Sequence, residues 1–242
     1  MKRSPINRKN RLWQNISSNL PYLLFWPVFG LLFLGVERLW IRDSYHPISC
    51  SLDNKIPFCE FFLIPYLFWF VFLIGMLTYT LFQEPPAFKK MMQFILITYT
   101  AAMVIYLVFP NCQELRPVSF ARDNFLTRLM ADFYQFDTNT NVCPSLHVVG
   151  SIAVLLCAWH SRRFSSPGWR TAFTLTAILI SISTVFLKQH SVLDVLGALP
   201  LCLVGGWIVY GRQNNSSALQ KEPHGSSKEN LGPSTNEQRR LL

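Results

Sequence analysis

His190 and Asp194 stand four residues apart in the run Lys188-Gln189-His190-Ser191-Val192-Leu193-Asp194. On a helix that spacing puts both on one face, where a carboxylate fixes the imidazole tautomer and stabilises its cation, making His190 a candidate nucleophile. The same run also reads as an ordinary helix start, with Ser191 as the cap and Asp194 as the acidic partner of a capping box. Upstream, Cys143-Pro144-Ser145-Leu146-His147 opens an apolar stretch. Proline at a first helical position, exposed amides and the Ser145 hydroxyl build an anion site at the positive end of a helix, with His147 beside it to protonate a leaving oxygen. Pro-Ser is equally a plain helix start. Glu114-Leu115-Arg116-Pro117 supplies a guanidinium suited to clasping phosphate oxygens in pairs. Taken together the three runs contain a nucleophile, an acid and anion ligands, the parts of a phosphoryl-transfer site. Two histidines and one carboxylate also suit zinc or iron, which keeps a metal reading open.

The elements that must bring these residues together are apolar. Half of the 242 residues are hydrophobic and 14% are charged, a balance that points to a membrane. A helix needs roughly 20 apolar residues to cross the hydrocarbon core. Six stretches approach that length: Leu20 to Trp40, Phe61 to Phe82, Met91 to Pro110, Pro144 to His160, Thr171 to Leu187 and Val192 to Gly211. The expected fold is therefore an all-α integral membrane bundle of six spans, one domain over residues 20–211. The first stretch follows a basic head at residues 1–19, but it is too long for a signal core and lacks a small-residue cleavage pattern, so it reads as an uncleaved span. Gln83 to Lys90, with two prolines and two lysines, reads as a polar break. Asn111 to Cys143 reads as an interfacial loop with a short amphipathic stretch at Phe125 to Phe136. Residues 212–242 have little to bury and read as a disordered tail.

The net charge of +9 does not indicate a nucleic-acid partner, because the basic residues lie in the tail and between apolar runs rather than along one face. They report orientation. Fifteen Lys and Arg fall on the side of the two termini and seven on the other, so the termini are predicted cytoplasmic and the loops holding Arg116, His147 and His190 extracytoplasmic. In that compartment disulfides between Cys50 and Cys59, or Cys112 and Cys143, are permitted, and free thiols equally so. Cys157 and Cys202 lie inside spans as small core residues. The sequence specifies no oligomeric state.

The order and spacing of the three runs resemble the type 2 phosphatidic acid phosphatase superfamily, whose pattern is Lys-x6-Arg-Pro, Pro-Ser-Gly-His and Ser-Arg-x5-His-x3-Asp. The resemblance covers roughly Phe109 to Asp194 and the six-span topology. It implies a lipid phosphate or pyrophosphate substrate, His190 as a nucleophile that becomes phosphohistidine, Asp194 as its orienting partner, His147 as general acid, and Arg116 and Ser145 as phosphate ligands. No cofactor or metal is implied. The chain has Phe109 where the pattern has lysine, Leu146 for its glycine and Thr184 for its arginine. Lys188, two residues before His190, is the candidate replacement for a missing cation. A similarly reduced set resembles the phosphotransferase branch of inositol phosphorylceramide and sphingomyelin synthases, which leaves the acceptor as water for a phosphatase or an alcohol for a transferase. A transporter lined by ionisable residues is the competing class, and the chain shows neither paired broken helices nor an internal repeat.

The charge asymmetry generates a direct test. In intact cells, single cysteines placed in the loop 111–143 should react with a membrane-impermeant reagent, while cysteines in the tail are protected. The reverse pattern would invert the topology.

Overall fold

The structure, a computed structural model, describes residues 8–211; the predicted tail at 212–242 and the first seven residues of the basic head lie outside the described residues. Eight α-helices carry the described chain: α1 (Arg8–Ser18), α2 (Leu20–Arg38), α3 (Leu63–Gln83), α4 (Pro85–Val108), α5 (Phe125–Phe136), α6 (Leu146–His160), α7 (Pro167–Phe186) and α8 (Val192–Gly206). A 3-10 turn, Glu60–Phe62, leads into α3, and a π-helical turn, Trp207–Gly211, continues α8. The predicted amphipathic stretch coincides with α5.

The chain is an all-α membrane protein. Five helical stretches, Leu20–Arg38, Glu60–Gln83, Pro85–Val108, Pro167–Phe186 and Val192–Gly211, are long and apolar enough to cross a bilayer. Their outward faces leave Leu31, Ile64, Val71, Leu175 and Leu203 exposed, an apolar mantle that lipid solvates and water would not. The sixth expected span, α6, is 15 residues long, about 22 Å at 1.5 Å per residue. It nevertheless runs between both ends of the bundle, since Ser145 at its start bonds Asp194 at the head of α8 and Ser161 at its end bonds Glu84 between α3 and α4.

Helix α6 is the axis of the bundle, packed against α3, α4, α7 and α8. Its small residues explain why: Gly150, Ser151, Ala153, Cys157 and Ala158 are all buried and let neighbours approach closely. One expectation is corrected. Gln83 to Lys90 is not a loop; only Glu84 separates α3 from α4, because Pro85 and Pro86 occupy the first turn of α4, where a missing N–H costs nothing. A minimal parallel sheet also interrupts the helical fold, with β1 (His46–Pro47) paired to β2 (Asn111–Cys112).

A Cβ on Gly150 would lie 2.8 Å from Tyr99 Oη and 2.9 Å from Trp69 Cζ2. Both rings are packed in place, so Gly150→Ala should cost about 1–3 kcal/mol of stability. Thermal inactivation in detergent should show a lower midpoint for Gly150→Ala and an unchanged one for Gly75→Ala, where nothing lies within 4 Å. Equal midpoints would mean that α6 is loosely packed.

Candidate active site

The reversal between α7 and α8 is five residues long, Leu187 to Ser191, and sets the position of His190. The Thr184 carbonyl accepts both Gln189 N–H (3.0 Å) and His190 N–H (3.1 Å), and Lys188 takes a left-handed conformation, φ 52°, to turn the chain. Ser191 then caps α8 through Leu193 N–H (3.1 Å), and Asp194 Oδ2 accepts Ser191 N–H (2.9 Å). The same oxygen accepts His190 Nδ1–H at 3.2 Å. Capping box and histidine pair are thus one device. A carboxylate can only accept, so Nδ1 carries the proton, and the Nδ1–H tautomer has its lone pair on Nε2. Asp194 is fully buried and His190 nearly so.

The start of α6 faces this pair. Ser145 is fully buried at the N-cap, its hydroxyl has no partner among the described residues, and its N–H donates to the Asp194 carbonyl at 3.1 Å. His147 stacks on Tyr66 (centroids 4.4 Å) and Trp69 (4.5 Å), with the His190 ring edge-on at 5.8 Å. Its Nε2 is buried and unpartnered. An unpartnered hydroxyl and imidazole nitrogen beside a helix N-terminus are what an oxyanion-binding pocket requires.

Arg116 is brought to the same end, but its terminal nitrogens are engaged. Nη1 donates to the carbonyls of Tyr134 (3.0 Å) and Asp137 (2.8 Å), and Nη2 to the carbonyl of Thr138 (2.8 Å) and Gln189 Oε1 (2.6 Å). Only Nε–H is without a partner. Burial pulls the guanidinium below its ordinary range, and the charge of Asp137 opposes this. Lys188 Nζ donates to the carbonyls of Asp53 and Ile56, both at 2.6 Å, so a phosphate contact would use its one remaining N–H. All six cysteines are free thiols, and burial beside Asp194 pushes Cys143 up to about 12. Among the described residues no three His, Cys, Asp or Glu side chains are grouped to hold a metal.

The model of the PAP2 superfamily matches residues 90–218, more than half of the chain. The chain belongs to the PAP2 superfamily. Comparisons with curated proteins and with solved structures returned no match. PAP2 proteins are phosphatases or phosphotransferases acting on phosphate esters, so this PAP2 chain is a membrane enzyme of the phosphoesterase type.

Three residues around this candidate site escaped sequence reasoning. Asp53, in the loop before α3, is buried and accepts from Cys50 N–H (2.7 Å), Ser191 Oγ–H (2.6 Å) and Val192 N–H (2.8 Å), capping α8 from a distant segment. Asn111 holds the segment before Ser145 by accepting Val142 N–H (2.9 Å) and Cys143 N–H (2.8 Å) and donating to the Cys143 carbonyl (2.9 Å). Asp137, just after α5, is pushed up by burial while Arg116, His190 and Arg38 pull it back. No local motif marks any of them, since each acts across a long sequence separation.

Burial alone would raise the Asp53 carboxyl, but its donors Ser191, Val192 and Cys50 outweigh burial and hold it below the usual carboxylate range. Its stabilising effect is therefore present above the unfolded value near 4 and disappears as pH falls through the lower folded value. Asp53→Asn should remove the charge and reduce the rate roughly tenfold or more, with Asp53→Ala worse, while substrate KM changes little. A normal rate for Asp53→Ala would show that the loop does not position His190.

Proposed function

We propose that the protein cleaves a lipid phosphate or pyrophosphate through a phosphohistidine at His190. The observation that carries this reading is the His190–Asp194 pair, which leaves Nε2 free beside the unpartnered Ser145 hydroxyl and His147 Nε2. In the first step Nε2 attacks phosphorus, the bond to the leaving oxygen breaks, and His147 gives that oxygen its proton. Asp194 stabilises the imidazolium that forms. Ser145, the first amides of α6, Arg116 through Nε–H, and the Lys188 charge stabilise the equatorial oxygens. In the second step an acceptor attacks phosphorus, the N–P bond breaks, and His147 takes the acceptor's proton. Water as the acceptor makes a phosphatase; a lipid alcohol makes a phosphotransferase.

A lipid rather than a soluble ester is favoured by an apolar groove of about 510 Å³ between α6, α7 and α8, whose walls include Val148, Ile152, Val185, Phe186 and Val192. Val148 adjoins His147 and Val192 lies two residues from His190, so a tail in this groove would set its phosphate at the histidines. The six-span arrangement, with the site on the extracytoplasmic side and both termini cytoplasmic, is part of the same proposal and rests on the charge asymmetry.

A panel of lipid phosphates and pyrophosphates, with and without alcohols, should yield free phosphate or a new phospholipid and so identify the acceptor. The histidine roles predict unequal variants. His190→Ala should abolish turnover and acid-labile, base-stable phosphate incorporation. His147→Ala should still label slowly from an aryl phosphate, whose leaving group needs no proton. Labelled phosphate on the His190→Ala protein would overturn the assignment.

A further inference from the structure

A second cavity lies at the opposite end of the bundle from the histidines. It has a volume of about 700 Å³ and is bounded by the α3–α4 junction, the C-terminal end of α6 and the π-turn after α8. His147 and His160 mark the two ends of α6, about 20 Å apart along the axis. Nothing in the phosphoryl-transfer chemistry uses this cavity.

Its charge is one-sided. Among the described residues Lys90, Arg162 and Arg163 line it with one carboxylate, Glu84. That carboxylate is already engaged, accepting Ser161 Oγ–H (2.8 Å), Tyr79 Oη–H (3.2 Å) and the Arg162 N–H (3.3 Å). It closes the turn after α6 and pairs with neither guanidinium. Among the described residues Arg162 and Arg163 form no ion pair. His160 donates Nδ1–H to the Leu156 carbonyl at 2.8 Å, which leaves Nε2 available.

The last wall is Tyr210, on the π-turn. Its ring packs on His160 (centroids 4.5 Å), and its buried hydroxyl has no partner among the described residues. A buried hydroxyl without an acceptor is costly, and π-turns commonly mark functional sites. Cations, an imidazole and an orphaned phenol converging on one cavity make a site for an anion with several acceptor oxygens. Depth identifies its source. Trp159, Trp169 and Trp207, all on the helix ends at this level, are substantially exposed, the placement of aromatic side chains at a membrane–water interface.

We propose that this cavity binds the phosphate-bearing headgroup of an anionic phospholipid in the leaflet opposite the histidines. Basic groups near a membrane surface contribute about 1 kcal/mol each toward anionic lipid, so removing two weakens binding about 30-fold. The test is a melting-temperature titration of the full chain in neutral detergent with phosphatidylglycerol, phosphatidylcholine or inorganic phosphate. Phosphatidylglycerol alone should raise the midpoint. Arg162→Gln with Arg163→Gln should shift its half-saturation about 30-fold, whereas Arg170→Gln, outside the cavity, should leave it unchanged. Tyr210→Phe should be no less stable without lipid, because it deletes an unsatisfied hydroxyl, yet should lose several-fold in affinity. Equal stabilisation by phosphatidylcholine, an equal effect of Arg170→Gln, or unchanged binding by Tyr210→Phe would overturn the site. Saturation by inorganic phosphate alone would assign it to a soluble anion and overturn the lipid.

Discussion

A carboxylate removed from water must be given donors, and at the histidine end of this bundle that requirement organises everything else. Glu37, Asp53, Glu60 and Asp194 are all buried there. Each joins segments far apart in the chain or fixes a reversal. Glu37 at the end of α2 accepts from Asn141 Nδ2 (2.7 Å) and Thr140 Oγ1 (3.2 Å), just ahead of α6. Glu60 takes Asn124 Nδ2 (3.0 Å), the cap of α5, and meets Arg122 at 3.3 Å. Asp53 holds the head of α8, and Asp194 holds His190. Lipid-facing helices supply little directional attraction to one another, so these acids fix the relative heights of the motifs while small residues on α6 fix their separation.

This division explains what could be read from the sequence. Length and hydropathy marked four of the five long spans to within a few residues and the end of the fifth, α4, while the amphipathic period of α5 marked its ends. The His190 and Asp194 spacing carried two readings, a catalytic pair and a capping box, and one oxygen of Asp194 accepts from both His190 Nδ1 and the capping-box amide of Ser191. The start of α4 was misplaced because Pro85 and Pro86 were read as breakers, although proline is favoured in a first helical turn. What a pattern could not carry were partnerships set by tertiary contact. Arg116 looks like a free phosphate clasp in sequence, yet carbonyls after α5 and Gln189 occupy its terminal nitrogens. Lys188 looks like a replacement cation, yet it ties the first loop to the turn.

The tie at Lys188 also accounts for an otherwise unfavourable backbone. A lysine at φ 52° gives up the ease that glycine would have at that position, at a cost on the order of 1–2 kcal/mol. Glycine has no ammonium to reach the carbonyls of Asp53 and Ile56. The turn thus keeps the strained residue whose side chain links it to the loop, and the loop in turn supplies the Asp53 cap. Positioning of His190 is shared between two segments joined by contacts 135 and 139 residues apart in the chain, at both backbone and side-chain level.

The shortness of α6 has a consequence for the bilayer itself. At about 22 Å it falls several ångströms short of a typical hydrocarbon core of about 30 Å. With one end held at the level of the interfacial tryptophans, the other, bearing Ser145 and His147, lies beneath the opposite surface. Because longer helices enclose α6 and match the bilayer, a substrate bound as proposed above would have to let its polar group sink below its neighbours to be reached. On that proposal membrane thickness would be a variable of the reaction: thicker bilayers would deepen the descent, and output would respond to the acyl-chain length of lipids the enzyme never cleaves.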